Sequence, residues 1–308
     1  MDLHQAVTVD DAEAISAILS SGADPDALCD RPGDYIGMTP LMVACRRMAR
    51  ASAESLIRGG ASATYADGRD GRTALYHLLR ALSSTVGTGI NARDSGSFLS
   101  MLRMVAEAQG TPDLPVSDDE GPALCFLAGN DRLGHTSDGR SVRGIAFETL
   151  ASMGADVDAR DGHGRTPLML ACGIPGPESE GIVSTLMELG ADPDARDGDG
   201  TTALMRAASI PGNAGIDLIR AMLDFCVPYP GLRDSRGRDA LEMASDAGNA
   251  DVVRLLLSLR GSEALPTSAL GAGRQEHLDD LGETGLRSVM HRGASVVIGG
   301  LGVRPALE

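Results

Sequence analysis

The chain has 308 residues, 43 acidic against 27 basic, and a formal charge of −16. An excess of that sign argues against a phosphate-neutralising nucleic-acid surface and fits either a basic protein partner or solubility alone. All 27 basic residues are Arg, which rules out a Schiff-base lysine and a phosphate-binding Walker lysine.

Read from its first residue, the chain opens with LHQAVTVDDAEAISAIL, two short helices with no leading turn. Asp2, Asp10, Asp11 and Glu13 give this first unit (about 1–35) the polar face of a terminal cap. The second unit starts near Tyr35 and carries the phrase GMTPLMVAC (Gly37–Cys45). The third, from Gly71, carries GRTALYHLL, and the fourth, from Gly121, an eroded copy, GPALCFLAG. GRTPLMLAC follows from Gly164, GTTALMRAA from Gly200 and GRDALEMAS from Gly237. Thr39 to Thr73 is 34 residues, Thr166 to Thr202 is 36 and Thr202 to Asp239 is 37. Self-similarity at that period is the mark of a stacked repeat protein, and it moves the question of function from catalysis to surfaces.

Between these phrases a second piece recurs: ILSSGADPDA (Ile18–Ala27), LASMGADVDARDGHG (Leu150–Gly164) and LMELGADPDARDGDG (Leu186–Gly200). Thr39, Thr73, Thr166 and Thr202 are placed to cap the first helix of their units, with Pro next in two copies. Gly154 and Gly190 stand where the second helix must end left-handed. Asp161-Gly162 and Asp197-Gly198 suit a tight hairpin turn. The pattern resembles the ankyrin repeat, whose Thr-Pro-Leu signature is present here as TPLMVA and TPLMLA, over about residues 1–261. The resemblance implies an all-α solenoid of helix–turn–helix units with β-hairpin-like finger loops, stacked into a curved array. Beyond it, 262–308 is rich in Gly, Ala and Ser and reads as a tail, with a degenerate cap expected around 279–303.

No catalytic or metal motif emerges. The six histidines make no HExxH, HxE or HxxxH arrangement. Five cysteines without a CxxC pair predict reduced thiols, with Cys45 and Cys172 at one repeat position facing the stacking interface. The acidic loops DVDARDGHG and DPDARDGDG lack the spacing of a calcium loop, whose twelfth position is filled here by Pro167 and Ala203. No cofactor or metal is therefore expected. No window holds the roughly 18 apolar residues of a membrane span, and the opening MDLHQAVTVDD lacks the regions of a signal peptide. The expectation is a soluble cytoplasmic monomer that binds another protein and neither nucleic acid nor membrane.

Two surfaces are candidates for that binding. The resemblance implies finger tips plus the exposed face of the first helix: Tyr35 in unit two, Arg69, Arg72 and Tyr76 in unit three, Arg160, His163, Arg165 and Met169 in unit five. Unit six supplies Arg196, Asp199 and Met205, and unit seven Arg233, Arg236, Arg238 and Glu242. A row of Arg suits a carboxylate-bearing partner. The second is an edge of insertions between first and second helices. About 16 residues are added around 83–97, about 11 at 129–142, and about three each at 173–181 and 209–215. Its candidates are Asn91, Arg93, Asp94, Asp131, Arg132 and His135. The Lys-free, Ala-, Gly- and Arg-rich composition fits a GC-rich, bacterial genome, or selection against ubiquitin attachment inside a host. Two functions follow as expectations: an inhibitor or immunity-type protein clamping an enzyme or toxin, or an effector exported into a eukaryotic cell.

Overall fold

The computed structural model describes residues 2–30, 33–67, 70–84, 92–111, 113, 115–117, 120–130 and 142–262. They hold fourteen helices in seven pairs: α1 (Leu3–Thr8) and α2 (Ala12–Ser20), α3 (Pro40–Arg47) and α4 (Arg50–Arg58), α5 (Ala74–Ser84) and α6 (Ala92–Gln109), α7 (Ala123–Ala128) and α8 (Val142–Ser152), α9 (Pro167–Ala171) and α10 (Pro177–Glu188), α11 (Ala203–Ala208) and α12 (Asn213–Leu223), α13 (Ala240–Asp246) and α14 (Ala250–Ser262). Met1–Leu257 form one compact unit, to which the description below belongs, and Ser258–Glu308 a second. The expected cap at 279–303 lies outside the described residues.

Each pair begins with the same local chemistry. First helices of five to eight residues, all but the eleven-residue α5, are too short to hold themselves together, so except in α7, which follows Pro122, a preceding side chain fixes the start. The hydroxyls of Thr39, Thr166 and Thr202 accept from the amides of Met42, Met169 and Met205 at 3.3, 3.4 and 3.3 Å, meeting donors that the helix leaves open. Asp239 does the same for Glu242 at 3.0 Å, and the Glu242 carboxylate accepts from the Asp239 amide in return. The second helix ends at a glycine of φ +92° (Gly154) or +91° (Gly190). The alanine that follows donates back to the helix, Ala155 to Leu150 O at 3.1 Å and Ala191 to Leu186 O at 3.0 Å. Any residue but Pro could donate that bond; Ala155 and Ala191 are also buried, which favours a small side chain after the Gly.

Packing runs within the first six pairs and between neighbouring pairs, first helix on first helix from α1 to α13 and second on second from α2 to α12. The leucine of each Thr-Pro-Leu phrase is buried at the seam: Leu41, Leu75, Leu124, Leu168 and Leu204. Leu56, Leu150 and Leu186 fill it from the second helices. Cys45, Cys125 and Cys172 are buried free thiols, and burial pushes each of them up to about 12.

The finger loops form tight turns, but among the described residues no strand develops, only a single antiparallel bridge between Pro115 and Pro122. Helix α6 runs for 18 residues where α4 has nine. The third unit's added residues are therefore partly helix and not loop throughout: Ser84 closes α5 and 92–97 open α6. In the fourth unit, Arg143 is wholly buried at the start of α8. Its guanidinium donates to Leu127 O at 2.6 Å and to Ala128 O, satisfying carbonyls at the end of α7 that a helix terminus leaves open.

Candidate interaction surface

The acidic loops are built from three separate uses of aspartate. In GADPDA and GADVDA the first Asp folds the loop on itself: Asp24, Asp156 and Asp192 accept from the amide two residues on, each at 3.0 Å. The second Asp reaches the following unit. Asp26 accepts from the Ser62 amide at 2.9 Å, Asp158 from Asp192 at 3.0 Å and Asp194 from Tyr229 at 2.7 Å, and Asp113 accepts from Asp156 at 2.8 Å. A third Asp ties the finger. Asp161 accepts from the amides of His163 and Arg165, Asp197 from Asp199 and Thr201, and Asp234 from Arg236 and Arg238, at 2.8 to 3.0 Å. These carboxylates are used up in turns, and among the described residues no group of three His, Cys, Asp or Glu could hold a metal ion.

Each finger carboxylate also takes a guanidinium: Arg165 to Asp161 at 2.6 Å, Arg206 to Asp197 at 2.8 Å and Arg238 to Asp234 at 2.9 Å. Burial raises the Asp197 and Asp234 carboxyls. The Arg206 bond and the Thr201 amide outweigh it at Asp197, as the Arg238 amide and side chain do at Asp234, so both are held below the ordinary carboxylate range.

The predicted binding residues divide accordingly. Arg160, Arg196 and Arg233 are exposed, but their guanidinia are engaged. Arg160 donates to Gly164 O at 3.0 Å in its own finger and to Arg196 O at 2.6 Å in the next. Arg196 donates to Gly200 O at 3.4 Å and to Arg233 O at 2.6 Å. Arg233 donates to Gly237 O and stands 3.3 Å from Asp239 and 3.5 Å from Glu242. The row expected to face a partner is thus also a backbone staple. His163, Asp199, Arg236 and Glu242 are exposed on the same side.

Met169, Met205 and Tyr76 depart from the expectation of an exposed first-helix face: all three are buried, as is Met42. The position they share directly follows the Thr-Pro-Leu leucine, and a neighbouring first helix on each side covers it. Arg69, Asn91, Asp131, Arg132 and His135 lie outside the described residues. Arg93 and Asp94 fall in the first turn of α6.

In units two and three the surface has another character. Arg46 lies over the Tyr35 ring at 5.4 Å and donates to Asp34 O at 2.8 Å, while Arg47 donates to the Tyr35 hydroxyl at 3.1 Å. Arg72 pairs with Asp70 at 2.7 Å and lies 5.0 Å over the Tyr76 ring. Tyr76 meets Phe126 and His77 edge-on, with centroids 5.5 and 5.4 Å apart. His77 is buried, and its Nε2 has no hydrogen-bond partner. Burial lowers this imidazole to about 4, Asp67 opposing and Arg46 and Arg72 reinforcing. Sequence reasoning passed over Arg46 and Arg47, although their signal was a basic pair at the end of a capped helix.

The family model "ankyrin repeats (3 copies)" matches residues 178–266. Among solved structures, the ankyrin repeat domain of Bcl-3, described as a member of the IkappaB protein family, is similar at TM-score 0.61 and 22% identity. That alignment covers 83% of this chain and 97% of the other. The human ASB11 ankyrin repeat domain aligns at TM-score 0.55 and 20% identity, over 83% and 96% of the two chains. No curated protein sequence matches.

Proposed function

Because this chain is an ankyrin-repeat protein, we propose that it acts without catalysis, as a protein that binds and blocks a partner enzyme or toxin. Ankyrin arrays are interaction scaffolds, and here the scaffold is tied together by its own loops. The observation that carries the reading is the run of fingers in units five to seven. Their bases are fixed by Asp–amide and Asp–Arg bonds while His163, Asp199 and Arg236 remain exposed at the same finger position. Rigid loops presenting side chains at a regular spacing lose little entropy on binding. The partner expected for a chain of charge −16 is a basic protein, attracted through long-range field as well as contact.

Affinity capture from lysate of the source organism, quantified by mass spectrometry, tests this. One stoichiometric enzyme or toxin whose activity falls on adding the purified protein is the expected result. Recovery of no stoichiometric partner refutes it. The absence of Lys favours a second reading, an effector working inside a eukaryotic host, which requires translocation into host cells and a host protein in the captured complex.

A further inference from the structure

Resting on the reading of this chain as an interaction module, we propose that units two and three hold the anchor of its interface, and that the anchored element is an acidic segment carrying aliphatic side chains. The first ground is the finger between α2 and α3. Ala27 to Thr39 spans twelve residues, whereas the corresponding Ala159 to Thr166 spans seven. The longer finger closes as a hairpin, with Cys29 N to Met38 O at 2.9 Å and Gly37 N to Cys29 O at 2.8 Å. It exposes Leu28 and Ile36, at 46% and 37% of their full surface.

The second ground is where the chain spends its aromatic residues. It has only four Tyr, four Phe and no Trp. Among the described residues, both cation–π pairs lie in these two units, but Tyr76 under Arg72 is buried, so the pair open to a partner is Arg46 on the half-buried Tyr35. Tyr and Arg are the side chains in which binding energy concentrates, because they bring large area and directional bonds at low entropic cost.

The third ground is charge. In units five to seven Arg165, Arg206, Arg233 and Arg238 each face a carboxylate. Arg46 and Arg47 are exposed at the end of α3, and among the described residues neither is within ion-pair distance of an acid. Arg47 uses one donor, on the Tyr35 hydroxyl, and Arg46 one, on a backbone carbonyl. The remaining guanidinium donors suit the planar geometry of an Asp or Glu carboxylate. Leu28 and Ile36, on the same finger as Tyr35, supply apolar area for an aliphatic side chain next to that carboxylate.

The test uses the full chain and a labelled nonapeptide of three Asp-Glu-Leu repeats, followed by fluorescence anisotropy at low salt. The net charge of the protein repels such a probe, so saturable binding requires a local site. Binding is expected, weakened about tenfold or more by Arg46→Glu with Arg47→Glu. Tyr35→Ala should weaken it too, and Arg220→Glu with Arg254→Glu, on α12 and α14, should leave it unchanged. Melting curves establish that each variant is folded. Failure of the acidic peptide to bind, binding of a Lys-Arg-Leu peptide in its place, or indifference to the Arg46/Arg47 reversal overturns the proposal. The same reversal applied to a captured partner separates the two readings. A partner bound with unchanged affinity sinks the anchor and leaves the interaction module standing. Peptide binding with the stated pattern, but no captured partner, sinks the inhibitor reading alone.

Discussion

Replacing Asp197 with Asn and with Ala separates the two jobs of one finger carboxylate. Asp197 is nearly fully buried and accepts from Asp199 N at 3.0 Å, Thr201 N at 2.8 Å and Arg206 Nη2 at 2.8 Å. Asn keeps an oxygen for both amides but turns an NH2 donor towards the Arg206 guanidinium, losing that bond, whereas Ala leaves two amides and a guanidinium without their acceptor. Bonds to a charged group contribute about 1.5–3 kcal/mol each and are not additive. The expected loss is therefore roughly 4 kcal/mol for Asp197→Ala and roughly 2 kcal/mol for Asp197→Asn, the difference being the amide bonds. Since the folded carboxyl is held below its usual range, its stabilisation is present above the unfolded value of about 3.9 and fades as pH falls through the lower folded value. The Asn variant should lose that slope below pH 4. Urea unfolding followed by far-ultraviolet dichroism gives the global effect. Hydrogen exchange at the Asp199 and Thr201 amides gives the local one, which matters because repeat arrays open unit by unit. Two variants equally destabilised, or neither measurably so, would refute the assignment of the finger to this carboxylate.

Leu168→Ala, at a fully buried seam position, should cost about 2–5 kcal/mol through the cavity it leaves; an unchanged urea midpoint would put the repeat register in error. His77, lowered to about 4 by burial, binds its proton more readily in the unfolded chain. Stability should therefore fall as pH drops from about 6.5 towards 4 and stay flat above. His77→Leu should abolish that part of the slope, and a variant curve parallel to the parent's would count against it. Cys45, Cys125 and Cys172 are buried and held at about 12. A disulfide dye at pH 8 should then find two fast thiols in the folded protein, Cys29 and Cys226, and all five after denaturation; fast reaction of a third would contradict the packing.

The fold was legible because its signals are local. A Thr cap, a leucine two residues later and a Gly-Ala stop each have one good structural use, and six copies in phase leave little freedom. The surface was less so. Met169 and Met205 were placed on an exposed face by the family resemblance, but a residue in an array is also covered by units tens of residues away, and that cover has no local sequence mark. Arg160 and Arg196 looked like partner contacts for the same reason: the carbonyls that engage them belong to the next finger. The long finger at 27–39 was visible as a simple count, and was missed because attention lay on spacing between the helices of a pair.

On the finger side, the polar links between units run one way. Asp26, Asp113, Asp158 and Asp194 each accept from a backbone amide of the unit after their own. Arg160 and Arg196 likewise donate to carbonyls of the following unit. At the opposite edge, among the described residues, links run both ways: Asp10 accepts from Ser52 of the next unit, and Asn249 reaches back to Ile210 O and Gly212 O. Along the finger side, each of these units thus offers side-chain partners to the main chain of its successor. A nascent chain, whose units leave the ribosome in order, grows on a template that is always complete. Trimming the array from its carboxyl end therefore uncovers side chains, whereas trimming from its amino end uncovers peptide groups.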